Sequence, residues 1–381
     1  MKSKFLNLGM LIFILLLNSC RDETLQEDYG SGTENAVQSK VTIGQYTSAL
    51  PYNVNVVYFI PSDVPARPEY ERRISQSMLA AQEYYRQNMY NWGYGNRTFG
   101  LLKNPSTNRI KINIVHGAKP ISSYPYSAGG QILQEVNTWF AAHPSAKTSE
   151  HTIIFTAVPA PGTNIPYYGL GKTCFVGDHE NNDYQYFNQN TAQGNQAKAY
   201  MGGLLHELGH ALNLPHDALS KKLQNVAGYG TSLMGWGNQT YGHSSTILTK
   251  ASAAILNNCQ VFSPVAKPAG YFYKQNHNFQ ASITSRSISN GRIQVWGNFS
   301  VGSPITSLNI YFIPKDSPYH AISGIAIRGA NNTYYTYVDV ADLYFTNKEY
   351  SLVVQGQFAD GGSSWQTFPL FTFVNGNPVL K

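Results

Sequence analysis

Residues 206–217 read HELGHALNLPHD, and every other part of the chain is interpreted around this stretch. It contains three of the ten histidines in the chain. His206 and His210 are four residues apart. Residues at positions i and i+4 of a helix lie on one face, so both imidazoles can reach one metal ion. Glu207 lies one step round the same helix, where its carboxylate can take a proton from a water molecule on that ion. The spacing therefore predicts a helix that carries a zinc site and a general base.

The third histidine requires a change of chain direction. His216 lies six residues after His210, which is too far for the next ligand of a straight helix. Asn213 stands where the helix must end, because asparagine is second only to glycine in adopting the left-handed conformation that ends helices. Pro215 cannot continue a helix. We therefore expect His206, His210 and His216 to hold one zinc ion per chain.

This stretch resembles the zinc motif of the metzincin endopeptidases, HExxHxxGxxH, at every position except Asn213, where the family usually has glycine. Asp217 follows the last histidine, as in the adamalysin branch. The family also has a methionine-containing turn, the Met-turn, beneath the metal, and residues 232–237 (SLMGWG, with Met234) are similar to it. Astacins and serralysins place a ligating tyrosine two residues after that methionine. Trp236 occupies this position, so no further protein ligand is expected there.

The resemblance implies a zinc endopeptidase that hydrolyses peptide bonds of extracellular proteins or glycoproteins. In this interpretation Glu207 is the general base and later passes its proton to the leaving amine. Met234 forms the floor below the metal, and Asp217 anchors the chain behind the last ligand. Tyr241 and His243 follow the Met-turn closely and are candidate hydrogen-bond donors to the oxyanion, from their position alone.

Two other interpretations stay open. In the first, the protein is a catalytically silent surface adhesin whose C-terminal domain binds host protein or glycan. The presence of Glu207 beside a complete ligand set argues against it, because a silent relative has no chemical need for that carboxylate. In the second, the protein is a gluzincin-type peptidase with a distal glutamate as third ligand. His216 and the Met-turn argue against this class.

The composition is that of an exported globular protein. Only 13% of the 381 residues are charged, and 27 are tyrosine. The formal net charge is +6, but no basic run occurs, so nucleic acid is not an expected partner. The length suits two domains, and we expect a monomer.

The N-terminus has the features of a bacterial lipoprotein. Residues 1–19 form a signal peptide whose apolar run, 10–17, is too short to span a bilayer. The sequence LNSC then resembles a lipobox that ends at Cys20, which implies a lipid anchor on Cys20 in the bacterial outer membrane. The charged residues 21–23 indicate surface display, and residues 20–50 read as a flexible tether. Cys174 and Cys259 remain, and the sequence leaves open whether they pair.

The predicted fold class is an α/β (α+β) metzincin-like catalytic domain, followed by an all-β immunoglobulin-like sandwich. The catalytic domain spans 51–262, a linker follows at 263–268, and the sandwich spans 269–381. In the catalytic domain we expect a mixed twisted sheet and four helices. The predicted strands are 53–60, 109–115, 151–158 and 171–177, and the predicted helices are 69–92, 130–142, 196–212 (N-capped by Asn195) and 244–257.

Two further segments carry predictions. Residues 168–176 are the candidate edge strand that pairs with extended substrate, with an interior strand as the alternative. Residues 178–183 (DHENND) are rich in oxygen ligands and are a candidate calcium site, although they lack EF-hand spacing and a solvated loop is the better interpretation.

Overall fold

The computed structural model describes residues 41–160, 162–274 and 276–381. The signal peptide, Cys20 and most of the predicted tether lie outside these residues. The last part of the tether prediction, 41–50, is wrong. Residues 41–48 form a hairpin of β1 (Val41–Ile43) and β2 (Tyr46–Ser48), and Thr47 pairs with Lys103.

The first part of the chain is the expected α/β domain. Its elements are β3 (Asn55–Ile60), α1 (Tyr70–Asn91), β4 (Asn113–His116), α2 (Gly129–Ala142), β5 (Thr152–Ala157), β6 (Gly169–Leu170), β7 (Thr173–Asp178), α3 (Ala192–Ala211), α4 (Lys221–Gln224), β8 (Thr231–Ser232), α5 (Asn238–Thr240), β9 (Thr246–Ile247) and α6 (Lys250–Asn258). The main sheet has the order β4-β3-β5-β7-β6, and β6 alone runs antiparallel to its neighbour.

The sheet is covered on both faces, which explains its continuous apolar strands. In β3, Val56 and Tyr58 face the core under α1 and α3, whereas Val57 and Phe59 face the core under α2. This alternation follows from the two-residue period of a strand. Helix α1 buries one stripe at the spacing that the sequence shows, namely Ile74, Met78, Ala81, Tyr85 and Met89. None of the helices among the described residues is long and apolar enough to cross a membrane.

The second part of the chain is an antiparallel sandwich. Its strands are β10 (Gln280–Ser289), β11 (Arg292–Ser300), β12 (Ile305–Pro314), β13 (Ile322–Ile325), β14 (Ile327–Arg328), β15 (Thr333–Asp339), β16 (Tyr350–Phe358), β17 (Ser363–Val374) and β18 (Asn377–Leu380). They form two sheets, β10-β11-β15-β14 and β13-β12-β16-β17-β18, with a shared apolar core between them. The predicted fold class is confirmed.

Three predicted elements differ from the structure. The helix expected at 196–212 begins at Ala192, and its N-cap is Thr191, whose side chain accepts a hydrogen bond from the Gly194 amide, rather than Asn195. The strand expected at 109–115 is regular only in β4. The helix expected at 244–257 begins at Lys250, capped by Thr249, because residues 246–247 pair with β8 instead.

The structure decides whether the two cysteines pair. Cys174 and Cys259 are buried, free thiols, so they do not form a disulfide.

The carboxylates of the acidic loop at 178–183 contact arginines. Asp178 pairs with Arg73, and Asp183 accepts two hydrogen bonds from Arg72. These two carboxylates are therefore engaged by cations of the protein. The candidate calcium site at 178–183 is not supported, because two of its three carboxylates already have partners.

Candidate active site

The C-terminal end of α3 makes the turn that the histidine spacing requires. Asn213 has φ 71°, in the left-handed region. The Leu214 amide donates to the Gly209 carbonyl, and the Asn213 amide donates to the His210 carbonyl, both at 2.9 Å. This pair of hydrogen bonds is the Schellman motif, which ends a helix and reverses the chain. The reversal brings His216 back beside α3.

The three histidines converge. One ring nitrogen from each of His206, His210 and His216 lies within 4.8 Å of the other two, and no other group of three such side chains in the described part of the chain is placed to hold a metal ion. The Nε2 atoms of His210 and His216 are 3.0 Å apart.

Backbone carbonyls orient two of these rings. Nδ1 of His206 lies 2.8 Å from the Leu233 carbonyl oxygen, and Nδ1 of His210 lies 3.0 Å from the Leu214 carbonyl oxygen. A carbonyl can only accept, so Nδ1 carries the proton and Nε2 keeps its lone pair for a ligand. Burial lowers the pKa of all three imidazoles, to about 4 for His206 and about 3 for His216. They are therefore neutral near pH 7, as metal ligation requires. Three neutral imidazoles in a tight group fit a zinc ion.

Glu207 lies in the same cavity as the three histidines. The cavity has a volume of about 450 Å³ and is lined by His206, Glu207, His210 and His216, together with four tyrosines and two glycines. Burial raises the pKa of the Glu207 carboxyl to about 8, and a hydrogen bond from the Gly169 backbone opposes this rise. Burial therefore favours the protonated carboxyl in this cavity, and a cation held by the three histidines would act in the opposite direction.

The edge of the sheet also reaches the cavity. The candidate segment 168–176 is not one strand but a tight hairpin of β6 and β7, which turns at Gly171 (φ 58°). The edge position therefore belongs to β6. A Cβ atom on Gly169 would lie 2.5 Å from Cβ of His210, so only glycine allows this edge to approach the zinc-motif helix so closely.

The Met-turn lies under the histidines. Met234 is fully buried, and a Cβ atom on Gly209 would lie 2.4 Å from its sulfur. The neighbouring Leu233 supplies the carbonyl that orients His206. The Met-turn therefore contacts α3 between the two helical histidines and fixes one of their rings.

Asp217 anchors the segment that follows His216. Its carboxylate is fully buried and accepts hydrogen bonds from the hydroxyls of Ser232 (2.5 Å), Thr249, Ser252 (2.8 Å) and Ser323 (3.2 Å). Burial raises the pKa of this carboxyl, and the four hydroxyl donors act in the opposite direction. The four donors come from the Met-turn, from α6 and its N-cap, and from the sandwich, so Asp217 joins three parts of the fold.

Two predicted site residues are not at the cavity. Tyr241 packs edge-on against Tyr84 and lies 5.4 Å, between ring centroids, from Phe187. His243 is exposed and does not line the cavity. Both were candidates because they follow the Met-turn in sequence, but the chain turns away there through Gly242 (φ 79°). Because neither residue lines the cavity, the structure does not support either one as the oxyanion donor.

Sequence reasoning missed Tyr319. This residue belongs to the turn Pro318–His320 of the sandwich, and its ring centroid lies 3.9 Å from that of His216 and 6.2 Å from that of His206. No local pattern marks it, because it lies about a hundred residues beyond the zinc motif and its neighbours form no recognisable motif.

The fold and this cavity define the class of protein. A cluster of three histidines beside a glutamate, at the end of a helix that packs on a mixed sheet, identifies a metalloprotease.

The comparison with solved structures narrows the class to a family. The chain is similar to catalytically inactive OgpA from Akkermansia muciniphila in complex with an O-glycopeptide (glycodrosocin) substrate, with 31% identity over 88% of this chain and 96% of that chain and a TM-score of 0.76. Two wild-type OgpA structures, in P 41 21 2 and P 21 21 21, are 32% identical over 88% of this chain and 97% and 96% of those chains, with TM-scores of 0.76 and 0.75. This chain belongs to the family of OgpA. No protein-family model and no curated protein matches it.

Proposed function

We propose that this protein is a zinc-dependent endopeptidase that hydrolyses peptide bonds in extracellular glycoproteins that carry O-linked glycans. The observation that carries the proposal is the cavity itself, where three neutral imidazoles, the Glu207 carboxylate and the edge strand β6 meet. The substrate class rests on the 31% identity with OgpA, whose inactive form is bound to an O-glycopeptide.

His206, His210 and His216 would hold the zinc ion through the nitrogens that converge in the cavity. Zinc bound there would supply a Lewis acid that polarises the substrate carbonyl and lowers the pKa of water. The Leu233 and Leu214 carbonyls hold the rings of His206 and His210 in the required tautomer. The chain therefore provides the ligands and also the backbone groups that orient them.

Glu207 moves the proton in this mechanism. Its carboxylate removes a proton from the attacking water molecule, whose oxygen forms a bond to the carbonyl carbon of the peptide. Glu207 then gives that proton to the amide nitrogen as the carbon–nitrogen bond breaks. The products are a carboxyl-terminal and an amino-terminal fragment, and Glu207 returns to its starting state.

The test uses a Glu207→Gln variant and a pair of peptides with one sequence, with and without an O-linked glycan. Wild-type protein should hold about one zinc per chain and cleave the glycopeptide in a chelator-sensitive manner. Glu207→Gln should keep its zinc but lose roughly 10³- to 10⁴-fold in turnover, because only the proton-transfer group is removed. Metal analysis by mass spectrometry and timed cleavage assays measure the two quantities.

His210→Ala is the matched control, since it should lose both the zinc and the activity. Equal cleavage of both peptides would retain the endopeptidase and reject the glycan requirement. A Glu207→Gln variant that keeps most of the activity would reject the assigned base. A wild-type protein that binds zinc and a glycopeptide without cleaving it would favour the silent adhesin instead.

A further inference from the structure

The wall of the cavity includes a side chain from the C-terminal sandwich. Tyr319 lies in the turn between β12 and β13, and its ring packs against the ring of His216. Its side chain is 37% exposed, so one side of it contacts the histidines and the other remains open to the cavity. The sandwich is therefore part of the active-site wall.

The backbone around Tyr319 is fixed to the catalytic domain. The Ala218 amide donates to the Ala321 carbonyl at 2.7 Å, and the Ser323 amide donates to the Ala218 carbonyl at 3.1 Å. On the same side, Trp236 Nε1 donates to Nε2 of His320 at 3.0 Å. Ala218 follows Asp217 directly, and Trp236 belongs to the Met-turn. Tyr319 is thus held against the same two segments that support the histidines.

Four tyrosines line the cavity, and their hydroxyls differ in whether they form a hydrogen bond within the protein. Tyr126 donates to the Tyr167 carbonyl at 3.3 Å, Tyr167 donates to the Tyr200 carbonyl at 3.4 Å, and the Tyr168 hydroxyl accepts from the Gly129 amide at 3.1 Å. The Tyr319 hydroxyl has no hydrogen-bond partner among the described residues. Within the described part of the chain it is the one tyrosine hydroxyl of the cavity that no protein group engages, and so it is available to substrate.

We propose that Tyr319 is a catalytic residue, supplied by the sandwich, whose hydroxyl donates a hydrogen bond to the carbonyl oxygen of the scissile peptide as negative charge develops there. This inference rests on the proposed endopeptidase function. The physical reason is that a donor held in place before the reaction stabilises the transition state without reorganising. Tyr319 meets this condition because Ala218 and Trp236 fix its turn, and it fills the role that Tyr241 and His243 do not.

The experiment compares Tyr319→Phe with Tyr337→Phe in the full chain. Tyr337→Phe is the same chemical change in the same domain. Tyr337, however, is exposed on the outer face of the sandwich and does not line the cavity. Tyr319→Phe should lower kcat for the glycopeptide roughly 100-fold and leave KM within about twofold, because the lost hydrogen bond acts only in the transition state. Tyr337→Phe should leave both constants unchanged.

Two readouts do not depend on turnover. Zinc content should be equal in wild type and Tyr319→Phe. In the inactive Glu207→Gln background, calorimetric Kd for the uncut glycopeptide should change by less than about threefold when Tyr319→Phe is added. Tyr319→Ala in the same background should weaken binding, since it removes the ring that forms the wall.

Each other outcome overturns the proposal. An unchanged kcat means that the hydroxyl takes no part in the transition state. A loss of zinc from Tyr319→Phe means that the hydroxyl supports the metal site. A raised KM and Kd at constant kcat means that Tyr319 only binds substrate. In all three cases wild-type cleavage shows that the proposed function stands, whereas a wild type that cleaves nothing removes the function and this inference together.

Discussion

Two sides of the active-site cavity are built in different ways. One side comes from residues 206–217, where the histidines, Glu207 and the turn at Asn213 lie within twelve consecutive residues. A second side comes from the sandwich turn that carries Tyr319, and it reaches the cavity only because two separate parts of the fold pack together; the sheet edge at Gly169 completes the wall. Local helix geometry is enough to form the first side, whereas the second depends on tertiary packing.

The two sides meet at Asp217. Its carboxylate accepts hydrogen bonds from Ser232 and Thr249 of the catalytic domain and from Ser323 of the sandwich, which lies 106 residues further along the chain. None of these donors is charged. Among the described residues, hydroxyl groups alone therefore offset the cost of burying the carboxylate, and the raised pKa of Asp217 reflects that cost. Changes at this junction are the most direct way to test how far one side depends on the other.

The largest effect on stability is expected from Asp217→Ala. It leaves three almost fully buried hydroxyls, those of Ser232, Thr249 and Ser252, without their acceptor. We expect the free energy of unfolding to fall by about 3 kcal/mol, as measured by denaturant titration. Asp217→Asn keeps the shape and one acceptor oxygen, so its loss should be smaller. Equal stability of Asp217→Ala and wild type would show that the two sides are not coupled here.

A smaller, pH-dependent effect is expected at His151, whose ring contacts both the end of the zinc-motif helix and Tyr273 in the segment that leads into the sandwich. Nδ1 of His151 lies 2.6 Å from the Ala211 carbonyl oxygen at the end of α3, so Nδ1 carries the proton. Nε2 therefore accepts a hydrogen bond from the Tyr273 hydroxyl at 2.5 Å. Burial lowers the pKa of His151 to about 4, and protonation of Nε2 would remove the lone pair that accepts this hydrogen bond.

Because the folded pKa lies below the ordinary value of about 6.5, the unfolded chain binds more protons between these two pH values. The stability from neutral His151 is present above about pH 6.5 and is lost as the pH falls towards 4. Between pH 7 and pH 5 we expect a loss of about 2 kcal/mol that His151→Gln does not show. Unfolding titrations of both proteins at each pH measure the difference. Parallel pH profiles would contradict the assignment.

The smallest effect is expected from Ser323→Ala, which removes only the hydrogen bond from the sandwich to Asp217. The hydroxyl is half-buried and the bond is 3.2 Å long, so the free energy of unfolding should fall by about 1 kcal/mol or less. Zinc content should not change, because three donors to Asp217 remain. Ser252→Ala is the matched change on the catalytic side, where the bond is 2.8 Å and fully buried, and it should cost more. The reverse order would mean that the sandwich contributes the stronger half of the junction.

Sequence patterns predicted most of the fold because periodicity is a local property. The buried stripe of α1 and the two-sided strand β3 follow from side-chain spacing, and both agree with the structure to within two residues. The start of α3 was placed four residues late because Asn195 and Thr191 are both good N-cap residues, and only the structure shows that the Thr191 side chain accepts from Gly194. The sequence predicts one edge strand at 168–176 instead of the β6–β7 hairpin, because Gly171 is the only residue that marks the turn.

Within the candidate site, local geometry again predicts correctly, whereas contacts between distant parts of the chain do not follow from the sequence. The convergence of His206, His210 and His216 follows from the i, i+4 spacing of a helix and from the ability of Asn213 to take a positive φ. Position in sequence suggested Tyr241 as the oxyanion donor, but its ring packs between Tyr84 and Phe187. Nearness along the chain does not imply nearness in space once the chain leaves a regular element.

The sequence by itself determined the class of site, since four side chains within eleven residues carry its chemistry and a helix with one turn can position them. It also determined the two-part α/β and all-β organisation, through a change of periodicity near residue 263. Only the tertiary structure decided that the sandwich forms part of the cavity, that Asp217 joins both parts, and that the Tyr319 ring lies beside the histidines. These contacts join residues about a hundred positions apart on packed surfaces, where no spacing rule relates one residue to the other.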